Sequence, residues 1–200
     1  MDIKSENNLM IRQVDISTAE GIYERFLKND FPRNERKPFR VIRRMMEQNR
    51  YQVYASYIKE ELAGYAFLAA EQKENSQIGL LDYFAVLSEK RHCGIGTEFL
   101  RKLFDGLGTF QYILIESESI TDNISDEEER IRRERFCFYG HCGAIHTDVH
   151  IELFFVKYDI FAMCREGLLS DNETIFQLAD FMYRKMYPES WFPRLAKLQK

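Results

Sequence analysis

The sequence predicts an α/β (α+β) domain, and three stretches carry that prediction. Glu89 to Phe104, EKRHCGIGTEFLRKLF, follows the apolar run LLDYFAVL (Leu80 to Leu87) and turns at once into a helical apolar pattern, so it reads strand, glycine turn, helix. YQVYASYI and LAGYAFLAA flank the charged Lys59 to Glu61 and read as an antiparallel hairpin. SDEEERIRRERF places acids four residues before bases and reads as a solvent-facing helix, and IHTDV and VKYDIFAMC read as strands behind it.

The remaining elements follow from spacing and caps. A short apolar stretch, Leu9 to Val14, gives a first strand, and Ser17-Thr-Ala-Glu20 matches a capping box that opens a helix carrying Ile22, Phe26 and Leu27. FPRNERKPF (Phe31 to Phe39) holds two prolines and mixed charge, which predicts a loop, with a second helix from about Phe39 to Gln48. LLDYFAVL is apolar nearly throughout, as in a strand covered on both faces. From Gly94 on, Ile95, Phe99, Leu103 and Leu107 recur at i, i+4 and predict an amphipathic helix. QYILIESES gives another strand, and FYGHCGA ends the charged helix. Ser170-Asp-Asn-Glu173 reads as a second capping box, opening a helix over Asp171 to Tyr187 that stops before Pro188.

Composition excludes several functions. The chain has 200 residues, 45% of them apolar, enough for one large domain or one domain with a small appendage. A net charge of -4 offers no cationic excess to displace counterions from a phosphate backbone, so nucleic acid is not an expected partner. No apolar run approaches the roughly 20 residues of a membrane span, and MDIKSENNLM lacks the apolar core of a signal peptide; the expected location is the cytoplasm, with no membrane partner. Cys93, Cys137, Cys142 and Cys164 form no CxxC pair and are expected to be free thiols. Cys137, His141, Cys142, His146 and His150 crowd one stretch, but their spacings match no closed zinc pattern, and no metal is expected.

Gly94 and Gly96 are candidates for chemistry. Glycines at a helix start let unpaired N–H groups, at the positive end of the helix dipole, meet a phosphate without a Cβ in the way; the plainer alternative is a tight strand-to-helix turn. A P-loop would need a longer loop ending in Lys-Ser/Thr, and a dinucleotide fingerprint would need a third glycine where Phe99 stands. On the strand QYILIESES, Tyr112, Leu114, Glu116 and Glu118 alternate onto one face, with the two carboxylates about 7 Å apart by strand rise. They are either an amine-binding pair, one of them a base, or solvated strand-end charges. The acid-rich run Glu116, Glu118, Asp122, Asp126 to Glu129 favours a cationic partner.

Arg91-x-x-Gly94-x-Gly96 after a buried strand resembles the signature of the GNAT superfamily of acetyl-CoA-dependent N-acetyltransferases, Q/R-x-x-G-x-G/A at this junction. Phe138-Tyr139 followed by Gly143-Ala144 is similar to a second landmark of that family, and the order of elements agrees from about Leu9 to Cys164. The resemblance implies a central mixed, mostly antiparallel sheet with splayed parallel strands forming the acetyl-CoA cleft, helices on both faces and an extra C-terminal helix. It implies a GNAT N-acetyltransferase domain over 1–165 and a C-terminal helical extension over 166–200, packed on the domain or contributing a homodimer contact. Acetyl-CoA would be the co-substrate, with the backbone of Phe84, Ala85 and Val86 pairing with pantetheine. The pyrophosphate would lie on the amides of Arg91, His92, Cys93, Gly94, Ile95, Gly96 and Thr97. Where many relatives have an asparagine near the cofactor this chain has Arg132, so Arg132 or Arg133 either meets a phosphate or belongs to a salt-bridged surface. Glu35 and Arg36 fall where relatives place part of the acceptor wall. Glu116 or Glu118 would be the base and Tyr139 the acid that protonates the coenzyme A thiolate, unless Tyr139 is a core tyrosine. The implied reaction is direct attack, in a ternary complex, by a primary amine of a small cationic molecule or peptide. The alternatives are transfer from a longer acyl-CoA, or a non-catalytic acyl-CoA-binding or protein-interaction module with the same fold.

Overall fold

The computed structural model describes residues 9–122, 124–153, 156–168, 171–187 and 196–199. Its elements run β1 (Leu9–Gln13), α1 (Ile16–Ile22), α2 (Lys28–Asp30), α3 (Phe39–Glu47), β2 (Tyr51–Ile58), β3 (Glu61–Lys73), β4 (Ser76–Val86), α4 (Ile95–Gly106), β5 (Phe110–Glu118), α5 (Asp126–His141), β6 (Ile145–Leu153), β7 (Val156–Cys164), α6 (Asn172–Met186) and β8 (Ala196–Gln199). A π-helical turn, Tyr23–Leu27, joins α1 to α2, and a 3-10 turn, Arg33–Glu35, sits inside the predicted loop. The chain forms two compact units. One comprises the described residues up to Leu68 with Asp82–Leu103; the other comprises Ala69–Leu81 with those from Phe104 onward.

In the first unit the strands follow the order β1-β2-β3-β4, with β1 antiparallel to β2 from Leu9↔Ile58 to Gln13↔Tyr54. The β2–β3 hairpin closes on Lys59 and Glu60, both with positive φ (51° and 64°), as a two-residue turn matching the strand twist demands. At Gly64 two backbones come together: a Cβ there would lie 2.7 Å from the Ala85 carbonyl oxygen and 3.1 Å from Ser56 Oγ. The core is aromatic and aliphatic, with Tyr65, Phe67, Phe99, Leu27 and Ile42 fully buried. Burying each such side chain contributes about 1.5–3 kcal/mol.

In the second unit the order is β3-β4-β5-β7-β6-β8. β4 and β5 are parallel over Gln77↔Phe110 to Leu81↔Ile115, whereas β5–β7, β6–β7 and β6–β8 are antiparallel, so the sheet is mixed. Helices cover both faces. Ile115 pairs with Phe161, which puts those two on one face, and there α5 packs through Phe136 and Tyr139, with ring centroids 5.0 and 5.5 Å from Phe161. Glu116, one residue on and therefore on the opposite face, meets α6 through Tyr183. α6 is also fastened to β6: Asn172 Nδ2 donates to Asp148 Oδ2 at 2.7 Å and Asp148 N–H donates to Asn172 Oδ1 at 3.0 Å.

The helix starts differ from the sequence reading in instructive ways. α1 is capped by Asp15, whose carboxylate accepts from Thr18 N–H at 2.8 Å, rather than by Ser17. α6 is capped by Asp171, accepting from Thr174 N–H at 3.0 Å; Ser170, the expected cap, lies outside the described residues. In both places an aspartate within two residues of the hydroxyl residue supplies a charge-assisted acceptor at the positive helix end. The reciprocal capping box of the molecule is Ser125 with Glu128, at the start of α5. Of the acid–base pairs that the four-residue spacing predicts on α5, Asp126–Arg130, Glu128–Arg132 and Glu129–Arg133, the last forms; Arg130 pairs instead with Glu127 and Glu134, and Arg132 reaches Glu118.

Gly64→Ala should destabilise the protein, because the new methyl meets backbone and the strands must move. The expected loss is about 1–3 kcal/mol, which for a chain of this size is roughly 2–10 °C in melting temperature. Calorimetry showing an unchanged melting temperature would contradict the close approach.

Candidate active site

The first unit holds the glycine turn. β4 ends at Val86, a short 3-10 turn brings Lys90 N–H onto Leu87 O at 2.8 Å, and the chain then passes through two left-handed residues, His92 (φ 61°) and Gly94 (φ 76°). Gly94 O accepts from Glu98 N–H at 3.0 Å, the bond that opens α4. The amides of Ile95, Gly96 and Thr97 therefore occupy the first turn, where no carbonyl of their own helix can reach them. Arg91 braces the turn: its Nε donates to Val86 O at 2.9 Å and its Nη2 to Asp30 Oδ1 at 3.2 Å. Asp30 also accepts from Tyr65 O–H at 2.6 Å, and burial together with that bond pushes the Tyr65 phenol well above its usual value. The side chain of Arg91 thus shapes the turn, and the donors it presents are backbone. Cys93 is exposed, and Phe84, Ala85 and Val86 are half-buried on β4, with the Phe84 ring 5.1 Å from that of Phe99.

The loop carrying Glu35 and Arg36 belongs to the same unit and is pinned to β4. Tyr83 O–H donates to Glu35 O at 3.0 Å and accepts from Lys37 N–H at 2.8 Å, while Lys37 Nζ pairs with Asp82 at 2.6 Å. Asp82 accepts from Tyr51 O–H as well. Arg36 Nη1 donates to Lys28 O at 2.8 Å, and its buried Nε has no partner among the described residues. A cleft of about 420 Å³ in this unit is lined by Gln13, Asp15, Ser17, Asn49, Tyr51 and their neighbours, none of them from the glycine turn.

The second unit holds the carboxylates and Tyr139. Glu116 and Glu118 both stand near the end of β5, half-buried, but in unlike surroundings. Glu118 is gripped by two guanidinium groups, Oε1 by Arg132 Nη2 at 3.2 Å and Oε2 by Arg135 Nη1 at 3.0 Å. Glu116 Oε1 accepts one bond from the Tyr183 hydroxyl, at 2.5 Å. Arg132 also donates to Ser119 O at 2.6 Å, while the neighbouring Arg133 pairs with Glu129. Tyr139, on the last turn of α5, has its phenol pushed up to about 12 by burial, with smaller contributions that include the field of Glu116. It is a neutral O–H donor at physiological pH.

Two groups went unnoticed in the sequence. Tyr183 is one of eleven tyrosines, and only its place on the buried stripe of α6 sets it apart. Asp159 on β7 gathers Ser119 Oγ at 2.5 Å, His146 Nε2 at 2.9 Å and His150 Nδ1 at 2.9 Å. The crowding of histidines after Cys137 was legible, whereas their shared carboxylate on the next strand was not. No group of three side chains able to hold a metal occurs among the described residues, and no helix among them is long and apolar enough to cross a membrane.

Solved structures provide the comparison. The chain is similar to spermidine N-acetyltransferase from Vibrio cholerae, solved in complex with CoA and spermine, at 11% identity and TM-score 0.56, over 78% of this chain and 95% of that one. It is similar to an acetyltransferase of the GNAT family from Streptococcus pneumoniae at 12% identity and TM-score 0.53, over 78% and 98%. It is also similar to IAA acetyltransferase from Bacillus cereus at 15% identity and TM-score 0.52, over 78% and 99%. No protein-family model and no curated protein sequence matches the chain. The chain has the fold of the GNAT superfamily.

Asp159 yields a prediction for acid stability. Burial raises its carboxyl, but the bonds from Ser119, His146 and His150 outweigh that and hold it below the usual carboxylate range. A depressed folded value contributes stability that is present above the unfolded value, near 3.8, and lost as pH falls through the folded one. Asp159→Asn should therefore be clearly less stable than wild type at pH 7, and urea melts should show the gap narrowing towards pH 2. An equal gap at both ends would contradict the assignment.

Proposed function

We propose that the chain is an acetyl-CoA-dependent N-acetyltransferase that moves an acetyl group to a primary amine by direct attack in a ternary complex. The observation that carries this reading is the start of α4. Its first-turn amides, reached through the left-handed His92 and Gly94 and braced by Arg91, are donors that no carbonyl of their own helix can reach, at a helix N-terminus after β4 in a chain of GNAT fold. Such an end suits a pyrophosphate, and the half-buried Phe84 to Val86 on the same strand suit pantetheine.

The chemistry needs a base, an acid and an amine site. Of the two glutamates, Glu116 is the base. Glu118 has both oxygens engaged by arginines, whereas Glu116 Oε1 meets a neutral hydroxyl. Tyr139 is the acid: its proton is held until about pH 12, and removing only its hydroxyl withdraws a donor from the thiolate as the tetrahedral intermediate collapses. Arg132 is committed to Glu118 and Ser119 O, so it serves to anchor α5 rather than to meet a phosphate. The acceptor is a small cationic amine or peptide amine. Its support is the carboxylate of Glu116 and the resemblance to a spermidine enzyme; the acids of α5 add little, since Glu127, Glu128 and Glu129 are taken up by Arg130, Ser125 and Arg133. Glu35 and Arg36 line the acceptor side of the first unit, on a loop that Tyr83 and Asp82 hold still.

The deciding experiment is calorimetric titration with coenzyme A, followed by acetyl transfer to spermidine, spermine, a lysine peptide and an aminoglycoside. Gly96→Val should lower coenzyme A affinity at least tenfold, on the order of 1.4 kcal/mol, with the fold intact; unchanged affinity would remove the cradle. Tyr139→Phe should lower kcat by about 10-fold to 10³-fold at unchanged coenzyme A affinity. If it lowers only the melting temperature, Tyr139 is a core residue. Coenzyme A binding without transfer to any amine would favour the non-catalytic acyl-CoA-binding module.

A further inference from the structure

We infer that the arginine surface formed by α3 and the loop before it receives an acidic peptide segment, so that the acceptor is a peptide amine followed by acidic residues rather than a polyamine. The inference rests on the acetyltransferase reading and chooses between the two acceptor classes that reading leaves. The distribution of charge in the first unit carries it. Residues 33–50 hold seven basic residues, six of them arginine, against the acids Glu35 and Glu47, in a chain whose net charge is -4. Two of these cations are neutralised: Lys37 pairs with Asp82 at 2.6 Å and Arg43 with Glu20 at 2.6 Å. Arg33, Arg40 and Arg44 are exposed, and their side chains make no hydrogen bond or ion pair among the described residues.

Helix stability does not account for these cations. α3 buries Phe39, Ile42 and Met45 on one face, and Arg40, Arg43 and Arg44 project from the other. Its first turn carries Arg40 and no acid, the reverse of what the helix dipole favours. Arg40 and Arg44 stand at i, i+4, where like charges repel. Arg36 adds a buried Nε with no partner among the described residues, on a loop that Tyr83 and Asp82 fasten to β4. A carboxylate relieves all three conditions, and the guanidinium fork matches it in two parallel bonds. The nine residues of α3 extend over about 13 Å, which roughly four residues of extended peptide would span. A polyamine meets only repulsion on this surface. A bilayer finds little to hold, because the exposed large apolar side chain of α3 is a single valine, Val41, and the negative charge of the whole chain opposes a long phosphate backbone.

The test uses the full chain and two peptides with free amino termini, one carrying a run of glutamates after its first residue and the other glutamines in their place. Fluorescence anisotropy should show the glutamate peptide bound about tenfold more tightly than the glutamine peptide. Raising the salt from about 0.05 M to about 0.5 M should shrink that preference. With acetyl-CoA present, kcat/KM should favour the glutamate peptide by a similar factor over both the glutamine peptide and spermidine. Arg40→Glu combined with Arg44→Glu, both on an exposed helix face, should abolish the preference in binding and in transfer, with coenzyme A affinity and melting temperature held. Equal binding of the two peptides by wild type, or a preference that survives the double variant, would overturn the surface. So would a parallel loss of coenzyme A affinity, which would assign the arginines to the cofactor, or tighter binding to phosphatidylserine vesicles or single-stranded DNA than to the glutamate peptide. Transfer to spermidine with none to the glutamate peptide would overturn the acceptor class and leave the acetyltransferase reading in place. Failure of wild type to acetylate any amine would remove that reading and this inference with it.

Discussion

The side chain of Arg91 sets the geometry of the α4 start. A helix N-terminus presents its free amides only if the chain enters it without turning back over them, and here the entry takes two left-handed residues in a span of three. His92 is not a glycine, and holding such a residue at positive φ costs free energy that its surroundings must offset. Arg91 supplies that compensation by bonding the last carbonyl of β4 and a carboxylate from α2. Asp30 is in turn held by the buried Tyr65 of β3. One guanidinium thus joins three elements of the first unit, and the amides of Ile95 to Thr97 take their direction from it.

The second unit solves a different electrostatic problem. It carries many carboxylates near the end of β5 and the start of α5, yet nearly all are matched. Glu127, Glu129 and Glu134 are paired along the exposed face of α5, where each pair adds only a few tenths of a kcal/mol. Glu118 and Asp159 are matched more deeply, by two arginines and by two histidines with a serine. Glu116 accepts from the Tyr183 hydroxyl of α6, a partner that carries no charge.

Periodicity and turns made most of the architecture legible. The hairpin about Lys59 and Glu60, the run from β4 through the glycines into α4, and the charged α5 all follow from patterns within a dozen residues. The errors share a cause. Asp15 and Asp171 cap the helices that Ser17 and Ser170 were expected to open, because two good candidates stood within two residues of each other and spacing alone does not rank them. Arg132 left its helical neighbour Glu128 for Glu118 because a half-buried carboxylate rewards a long side chain more than an exposed one. β8, Tyr183 and Asp159 depend on partners 40 to 70 residues away or on a strand register, and no local signal encodes those meetings. Gly64 looked like an ordinary strand glycine until the Ala85 carbonyl was seen against it.

What is legible at the cradle is the shape of the turn rather than the donors themselves. Amides are present at every residue, so a site built from them constrains only the residues that bend the chain and those that brace the bend. In this chain the requirement reduces to a left-handed Gly94, a Gly96 in the first turn, and an arginine placed to reach back to β4. Cys93 is exposed beside this bend, and His92 takes a left-handed conformation within it. Side-chain chemistry is the opposite case: a base needs a particular carboxylate, and that carboxylate needs a particular partner. Divergence can therefore leave a backbone site in place while replacing the side chains around it.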